Sequence, residues 1–223
     1  MKTGFLFSLA SFAMLGAAPM HEPYLAVVRQ ESGEVRVLGQ DTSIATGIKQ
    51  GDVIPPGQTM VTGENGLSVL RFHPDFTRIE ARAKTRYWLN YSRSDSSRAR
   101  RIKIEDGQIA LAVQKNSPDL FIEDTHSWAR AKEARFLFSA NAENSTLIVL
   151  DGSVEVNNRA KSSNETVRRG QKAVSDVNGL RISDAADSEL QQAGLRQNIL
   201  EVDFMNSTNE DFSTLEVEYE STF

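Results

Sequence analysis

The feature that most restricts the fold is the run Thr146 to Val156, Thr-Leu-Ile-Val-Leu-Asp-Gly-Ser-Val-Glu-Val. An apolar stretch stops at an Asp-Gly step and restarts with alternating Val154, Glu155 and Val156, the pattern of two β-strands joined by a tight turn. The restart recurs at Gly33-Glu34-Val35-Arg36-Val37 and at Gly107-Gln108-Ile109-Ala110-Leu111, each a glycine followed by aliphatic residues at every second position. A chain made of such units reads as a β-domain.

The remaining segments agree. Tyr24 to Arg29, Glu34 to Leu38, Ile44 to Ile48, Thr59 to Thr62, Leu67 to Phe72, Phe76 to Ala81 and Arg86 to Tyr91 are strand-like, punctuated by Gly51-Asp52, Pro55-Pro56-Gly57 and Gly63-Glu64-Asn65-Gly66. Ile102, Ile104, Ile109, Leu111 and Val113 read as a strand pair across Asp106-Gly107, and Leu120 to Ile122, Arg135 to Ala140, Thr166-Val167, Lys172 to Val174 and Leu180 to Ile182 continue the series. Thr125 to Ala134 is alanine-rich enough for a helical turn or two, but its flanks favour strands, and Asn157 to Glu165 reads as a polar loop. Turn signals at roughly eight-to-twelve-residue spacing, with no long helical period between them, predict an all-β fold of many short antiparallel strands, arranged as a sandwich or a solenoid-like stack.

Two appendages flank this body. Lys2 precedes an apolar run from Gly4 to Ala18, too short to span a bilayer comfortably, so residues 1–20 read as a secretory signal peptide or an uncleaved anchor, and 24–186 as the β-domain. Pro19 and Met20 make a poor cleavage site. At the other end, residues 187–223 carry a helix candidate, Ser188 to Asn198, and a C-terminal β-hairpin, Ile199 to Phe204 and Phe212 to Tyr219, in which apolar and acidic residues alternate. Hydrophobic residues at 39% and charged residues at 25% fit a folded globular chain, and the absence of cysteine excludes disulfides, thiolate metal sites and a cysteine nucleophile.

The net charge of −5 hides an uneven distribution. Arg78 to Lys103 holds nine basic residues against two acidic ones, and Asp187 to the end holds nine acidic residues against Arg196. The first segment gives the candidate binding surface, Arg78, Arg82, Arg86, Trp88, Arg93, Arg98, Arg100 and Arg101. Strand alternation separates Arg86, Trp88 and Asn90 from Tyr87, Leu89 and Tyr91, which weakens a shared stacking platform and leaves an exposed basic strand as the simpler reading. The second segment gives a candidate assembly hairpin, Glu201, Asp203, Glu216 and Glu218. No catalytic residue, metal site or cofactor emerges: the three histidines have no ligand spacing, and no nucleophile elbow, phosphate loop or dinucleotide fingerprint is present.

The order of the pieces resembles the FecR domain, the periplasmic portion of iron-dicitrate-type signalling regulators. The likeness runs from Gly33 to Asp184 through Gly51-Asp52-Val53-Ile54, Met60-Val61-Thr62-Gly63, Leu67 to Phe72, Glu105-Asp106-Gly107-Gln108-Ile109, Thr146 to Val156 and Val167 to Gln171. Pro74-Asp75-Phe76 and Glu133-Ala134-Arg135-Phe136 depart from the family's usual turns, and only three residues precede the hydrophobic run, which leaves no room for a cytoplasmic sigma-binding module. The resemblance implies a stand-alone domain of the periplasm or cell envelope that works by binding or signalling, not by catalysis. Its partner would be an envelope protein or an anionic envelope polymer and not nucleic acid. The alternatives are a structural protein that self-associates into a homo-oligomer through its acidic hairpin, and a binder of envelope polysaccharide.

Overall fold

The computed structural model describes residues 24–39, 45–74, 77–91, 99–194, 200–204 and 213–217. The expected export segment lies outside them. The described chain is a sandwich of two strand walls. Sheet I runs, in spatial order, β4 (Val53–Ile54), β1 (Ala26–Ser32), β6 (Leu67–Phe72), β7 (Arg78–Ala81), the second half of β9 (Arg100–Val113), β12 (Ala134–Ala140), the first half of β13 (Ser145–Asn158), β15 (Gln171–Asp176) and β16 (Gly179–Asp184). Sheet II runs β3 (Ala45–Gly47), β2 (Val35–Leu38), β5 (Gln58–Thr62), β8 (Arg86–Tyr91), the first half of β9, β10 (Leu120–Glu123), β11 (Ser127–Ala131), the second half of β13 and β14 (Ser163–Arg168). All neighbours are antiparallel except β9 and β10, which are parallel. A separate two-stranded sheet pairs β17 (Leu200–Phe204) with β18 (Ser213–Val217).

The Asp-Gly steps are not hairpin turns. β9 and β13 are single strands that continue through Asp106-Gly107 and Asp151-Gly152 and pass from one wall to the other, which joins sixteen strands into one hydrogen-bonded assembly. At the crossing Asp151 still faces Arg135 and Gly152 still faces Ala134, so the chain bends without reversing. The glycines permit the bend through positive φ, +107° at Gly107 and +74° at Gly152. The polar stretch after β13 is likewise mostly strand, because the side of β14 that carries Val167 faces the core.

The same passage between walls occurs at β1 to β2, β5 to β6, β7 to β8, β11 to β12 and β14 to β15, so the crossings line up as one seam. Backbones there approach too closely for side chains. A Cβ on Gly33 would overlap the Asn65 carbonyl, on Gly66 the Glu34 carbonyl, on Gly107 Thr85, and on Gly152 the Glu133 carbonyl. Buried Thr62 and Thr85 close the gaps by hydrogen bonding: Thr62 Oγ1 accepts from the Thr85 amide at 2.8 Å, and Thr85 Oγ1 accepts from the Gln108 amide at 3.0 Å.

Between the walls lies one continuous apolar core that includes Phe72, Ile79, Leu89, Ile102, Leu111, Phe136, Phe138, Val149 and Val156. Each fully buried large aliphatic or aromatic side chain there contributes about 1.5–3 kcal/mol of burial. Tyr87 is the polar intrusion. Its hydroxyl lies 3.1 Å from Ser68 Oγ, and burial pushes the phenol well above its ordinary value of 10.0. The helix expected from Ser188 is α1 (Asp187–Ala193), which packs Leu190 and Ala193 on Ala110, Leu137 and Ile148 of the outer face of sheet I.

Two outcomes follow from this geometry. Gly152→Ala must introduce both positive-φ strain, about 1–3 kcal/mol, and overpacking against Glu133, about 1–3 kcal/mol. Urea denaturation should show a loss of about 3 kcal/mol or more, whereas Gly47→Ala, with open space around it, should change stability by less than about 1 kcal/mol. For Tyr87, the folded state holds the phenolic proton more tightly than the unfolded chain. Its contribution is complete below pH 10 and falls as pH rises beyond that value. Tyr87→Phe should blunt alkaline unfolding above pH 10 while costing about 1 kcal/mol at neutral pH through the lost Ser68 bond.

Candidate functional site: the outer wall of sheet II

The expected basic surface divides between opposite walls. Arg78 and Arg82 share the outer side of sheet I with fully buried Glu80: Arg78 Nη2 lies 3.3 Å from Glu80 Oε2 and Arg82 Nε 3.9 Å from Glu80 Oε1. Arg82 also donates through Nη1 and Nη2 to the carbonyls of Gln192 and Gly194, at 2.6 and 2.9 Å, and so holds the C-terminal end of α1. These cations anchor structure. Arg86, Trp88 and Arg101 lie on the outer side of sheet II instead.

Arg100 does not belong to an exposed surface at all. It is 1% exposed, its guanidinium stacks 4.8 Å from the Phe72 ring centroid, and its Nη2 donates to the His73 carbonyl at 3.3 Å. The reason is strand parity, since Arg100 shares its side of β9 with Ile102 and Ile104. Arg93 and Arg98 lie outside the described residues.

Register arranges the outer wall of sheet II in rungs. One rung runs Trp88, Lys103, Glu123, Trp128, Asn157, and the next runs Asn90, Arg101, Phe121, Arg130, Glu155. Phe121 and Trp128 have ring centroids 6.2 Å apart at an interplanar angle of 52°, and the Arg130 guanidinium lies 5.9 Å over the Phe121 ring. Three aromatic side chains therefore stand half-buried on one wall, with Arg130 over Phe121 and Lys103 in register beside Trp88. Phe121, Trp128 and Arg130 were absent from the sequence-derived set, although their signal was legible: each has the opposite parity from its core neighbours Leu120, Ile122, Ala129 and Ala131.

This wall is charged but balanced. Arg86 pairs with Glu105 at 2.6 Å, Arg101 with Glu123 at 3.5 Å, Arg159 with Glu123 at 2.5 Å, and Arg130 with Asp119 and Glu155 at 2.5 and 3.7 Å. A polyanion needs a run of cations free to replace counterions. Here four arginines already have carboxylate partners, which leaves aromatic and guanidinium surface, not free positive charge, as what this wall presents. Outer sheet I offers less, because α1 covers its apolar strip and Lys172 fixes α1 through a 2.7 Å contact with Glu189.

Serine, histidine and aspartate also gather at the side opposite the seam, without forming a catalytic relay. Ser127 Oγ donates to Asp124 Oδ1 at 3.2 Å and lies 2.7 Å from Ser145 Oγ, while His126 Nε2 lies 3.2 Å from the Ala142 carbonyl. The imidazole meets a carbonyl, not a serine hydroxyl, so no nucleophile–base contact is made. Asn158 continues the network by donating to Ser175 Oγ at 2.7 Å, which ties the two walls together. Among the described residues no group of three or more His, Asp or Glu side chains is placed to hold a metal ion.

In the C-terminal hairpin Glu201 is in register with Glu216, and Asp203 with Thr214. Glu218 lies outside the described residues.

The FecR protein family model matches residues 58–155, from the start of β5 to the crossed half of β13. Over these residues the chain is similar to a FecR domain. Two crystal structures described as a "putative anti-sigma factor" from Parabacteroides distasonis ATCC 8503 are similar to it, each with a TM-score of 0.50, at 17% and 16% sequence identity. Each match covers 60% of this chain and 62% of the other, so the likeness shows a shared fold over part of both molecules. No curated protein matches the sequence. Within the matched residues lie all three aromatic residues of the outer wall and the crossings at Gly63–Gly66, Gly107 and Gly152. Among the described residues no helix is long and apolar enough to cross a membrane.

The Arg82 clamp gives a checkable consequence for the covered wall. Arg82→Ala removes both hydrogen bonds to the end of α1, and amide hydrogen exchange over residues 187–194 should quicken about tenfold, as expected for losing one to two net hydrogen bonds. Exchange in β13 should stay unchanged. The Lys172 contact also holds the Glu189 carboxyl below the usual carboxylate range, so this tether loosens only as pH falls through that lowered value.

Proposed function

We propose that this FecR-domain chain is a non-enzymatic binding module of a bacterial envelope signalling system, exported by its N-terminal hydrophobic segment and engaging a protein partner through the outer wall of sheet II. The observation that carries this reading is the half-buried aromatic group Trp88, Phe121 and Trp128, which shares the outer wall with Arg101 and Arg130. Tryptophan, tyrosine and arginine dominate protein interface hot spots, because they bury large area at modest entropic cost and keep a polar handle. The ion pairs around them give a partner orientation and selectivity, with little net charge. An anionic envelope polymer fits less well, since the arginines it would need are paired.

The test is crosslinking in intact cells of the full chain carrying a C-terminal tag, followed by mass spectrometry of the captured species. Phe121→Ala with Trp128→Ala should lower capture of an enriched envelope protein by about thirty-fold, the equivalent of one hot spot of about 2 kcal/mol. Arg181→Ala, an exposed residue on the opposite wall, should leave it unchanged. Capture that is indifferent to the two aromatic substitutions, or capture only of cell-wall polymer lost steeply with added salt, would overturn the assignment.

A further inference from the structure

The two walls end unequally beyond β13. Sheet I continues through β15 and β16, whereas sheet II stops at β14, so the last layer of the stack is present in one wall alone among the described residues. Two consequences are visible. β14 pairs with β13 on one side only, which leaves a six-residue strand edge open among the described residues. Ile182 stands opposite the core residue Ala173 and therefore faces inward, yet it is 36% exposed, because among the described residues sheet II has no strand beneath β16. Its inward-facing neighbour Leu180 is only partly covered by the core.

We propose that this half-layer is a strand-addition site, filled by the C-terminal hairpin of a second copy of the chain through β17. The occupant is specified by pattern and charge. An incoming strand must present aliphatic residues inward to cover Leu180 and Ile182. It must also keep negative charge away from Glu165, which shares the inward side of β14 with Val167. On the outward side it meets Arg168. The sequence Leu200-Glu201-Val202-Asp203-Phe204 alternates in that manner, with carboxylates at every second position. Backbone pairing along β14 then supplies affinity, as in strand-addition complexes generally.

The hairpin of the same chain cannot reach. Ala193 packs on Ala110 of β9 on the outer side of sheet I, Arg82 holds Gly194 there, and Leu200 follows six residues later, a reach of at most about 22 Å. From β9 to β16 there are four strand spacings, about 19 Å, and the open position lies past sheet I at the depth of the opposite wall, about 10 Å below sheet I and about 20 Å below α1. The contact is therefore between copies. Since hairpin and edge are different surfaces, the association is head-to-tail and extends into chains unless its rotation closes a ring.

This inference does not depend on the partner proposed for the outer wall. Its test places a photo-crosslinking benzoylphenylalanine at Thr166 in full chains expressed in cells together with a differently tagged copy. A dimer containing both tags should form, with the adduct mapped within residues 199–219. Ile182→Glu, or Glu201→Lys with Asp203→Lys in the hairpin, should reduce it at least tenfold. The hairpin substitutions leave the sandwich untouched, and Arg168→Glu added to them should restore the dimer. Absence of a mixed dimer, an adduct outside the hairpin, an adduct within one copy, or insensitivity to all these substitutions would overturn the proposal.

Discussion

Backbone contact along the seam is the constraint on which the rest of the molecule depends. Where Gly66 meets the Glu34 carbonyl, or Gly152 the Glu133 carbonyl, there is no volume for a side chain, and the chain can pass from wall to wall only because those positions carry none. Each passage lets one stretch of sequence contribute to both walls. In β13, Leu147 and Val149 enter the core from sheet I, and Val154 and Val156 enter from sheet II. Successive layers add core in proportion to length, so a chain without cysteines builds a continuous apolar interior by repetition.

Local pattern conveyed the strands and the glycine restarts, but not what a glycine does. A hairpin and a sheet crossing both ask for an Asp-Gly step with positive φ, and they differ only in what lies opposite. At Gly152 the deciding group is the Glu133 carbonyl, which no window around Asp151 contains. Site residues follow the same division. The inward direction of Arg100 was readable from Ile102 and Ile104, and the outward direction of Phe121 and Trp128 from Leu120, Ile122, Ala129 and Ala131. That Arg82 and Arg86 stand on opposite walls was not readable, because it turns on the crossing at 82–85, where Lys84 takes positive φ without being glycine.

The two outer walls have been given different work by their surroundings. On sheet I the outward strip of Ala110, Leu137 and Ile148 is apolar and buried, because α1 covers it, clamped by Arg82 at one end and by Lys172 at the other. On sheet II the strip is aromatic and ion-paired. Exposed ion pairs contribute about 0–1 kcal/mol each, so Arg86–Glu105 and Arg101–Glu123 do little for stability. Their effect is to cancel charge over a wall that would otherwise attract any polyanion, so that aromatic area and not net charge characterises it.

A stack built by adding layers has no internal reason to stop, and its ends must be dealt with by sequence. At the β14 edge the devices are partial. Glu165 points inward, where an apolar residue would invite any strand, and the outward positions Asn164, Thr166 and Arg168 are polar. Those choices disfavour indiscriminate pairing without closing the edge, and Ile182 remains as apolar surface beneath it. An edge that repels most strands but keeps an aliphatic floor discriminates by pattern: it admits a strand with small or aliphatic residues inward and negative charge outward. Protection against aggregation and specificity for one partner are then the same physical property, set by which side of β14 carries each charge.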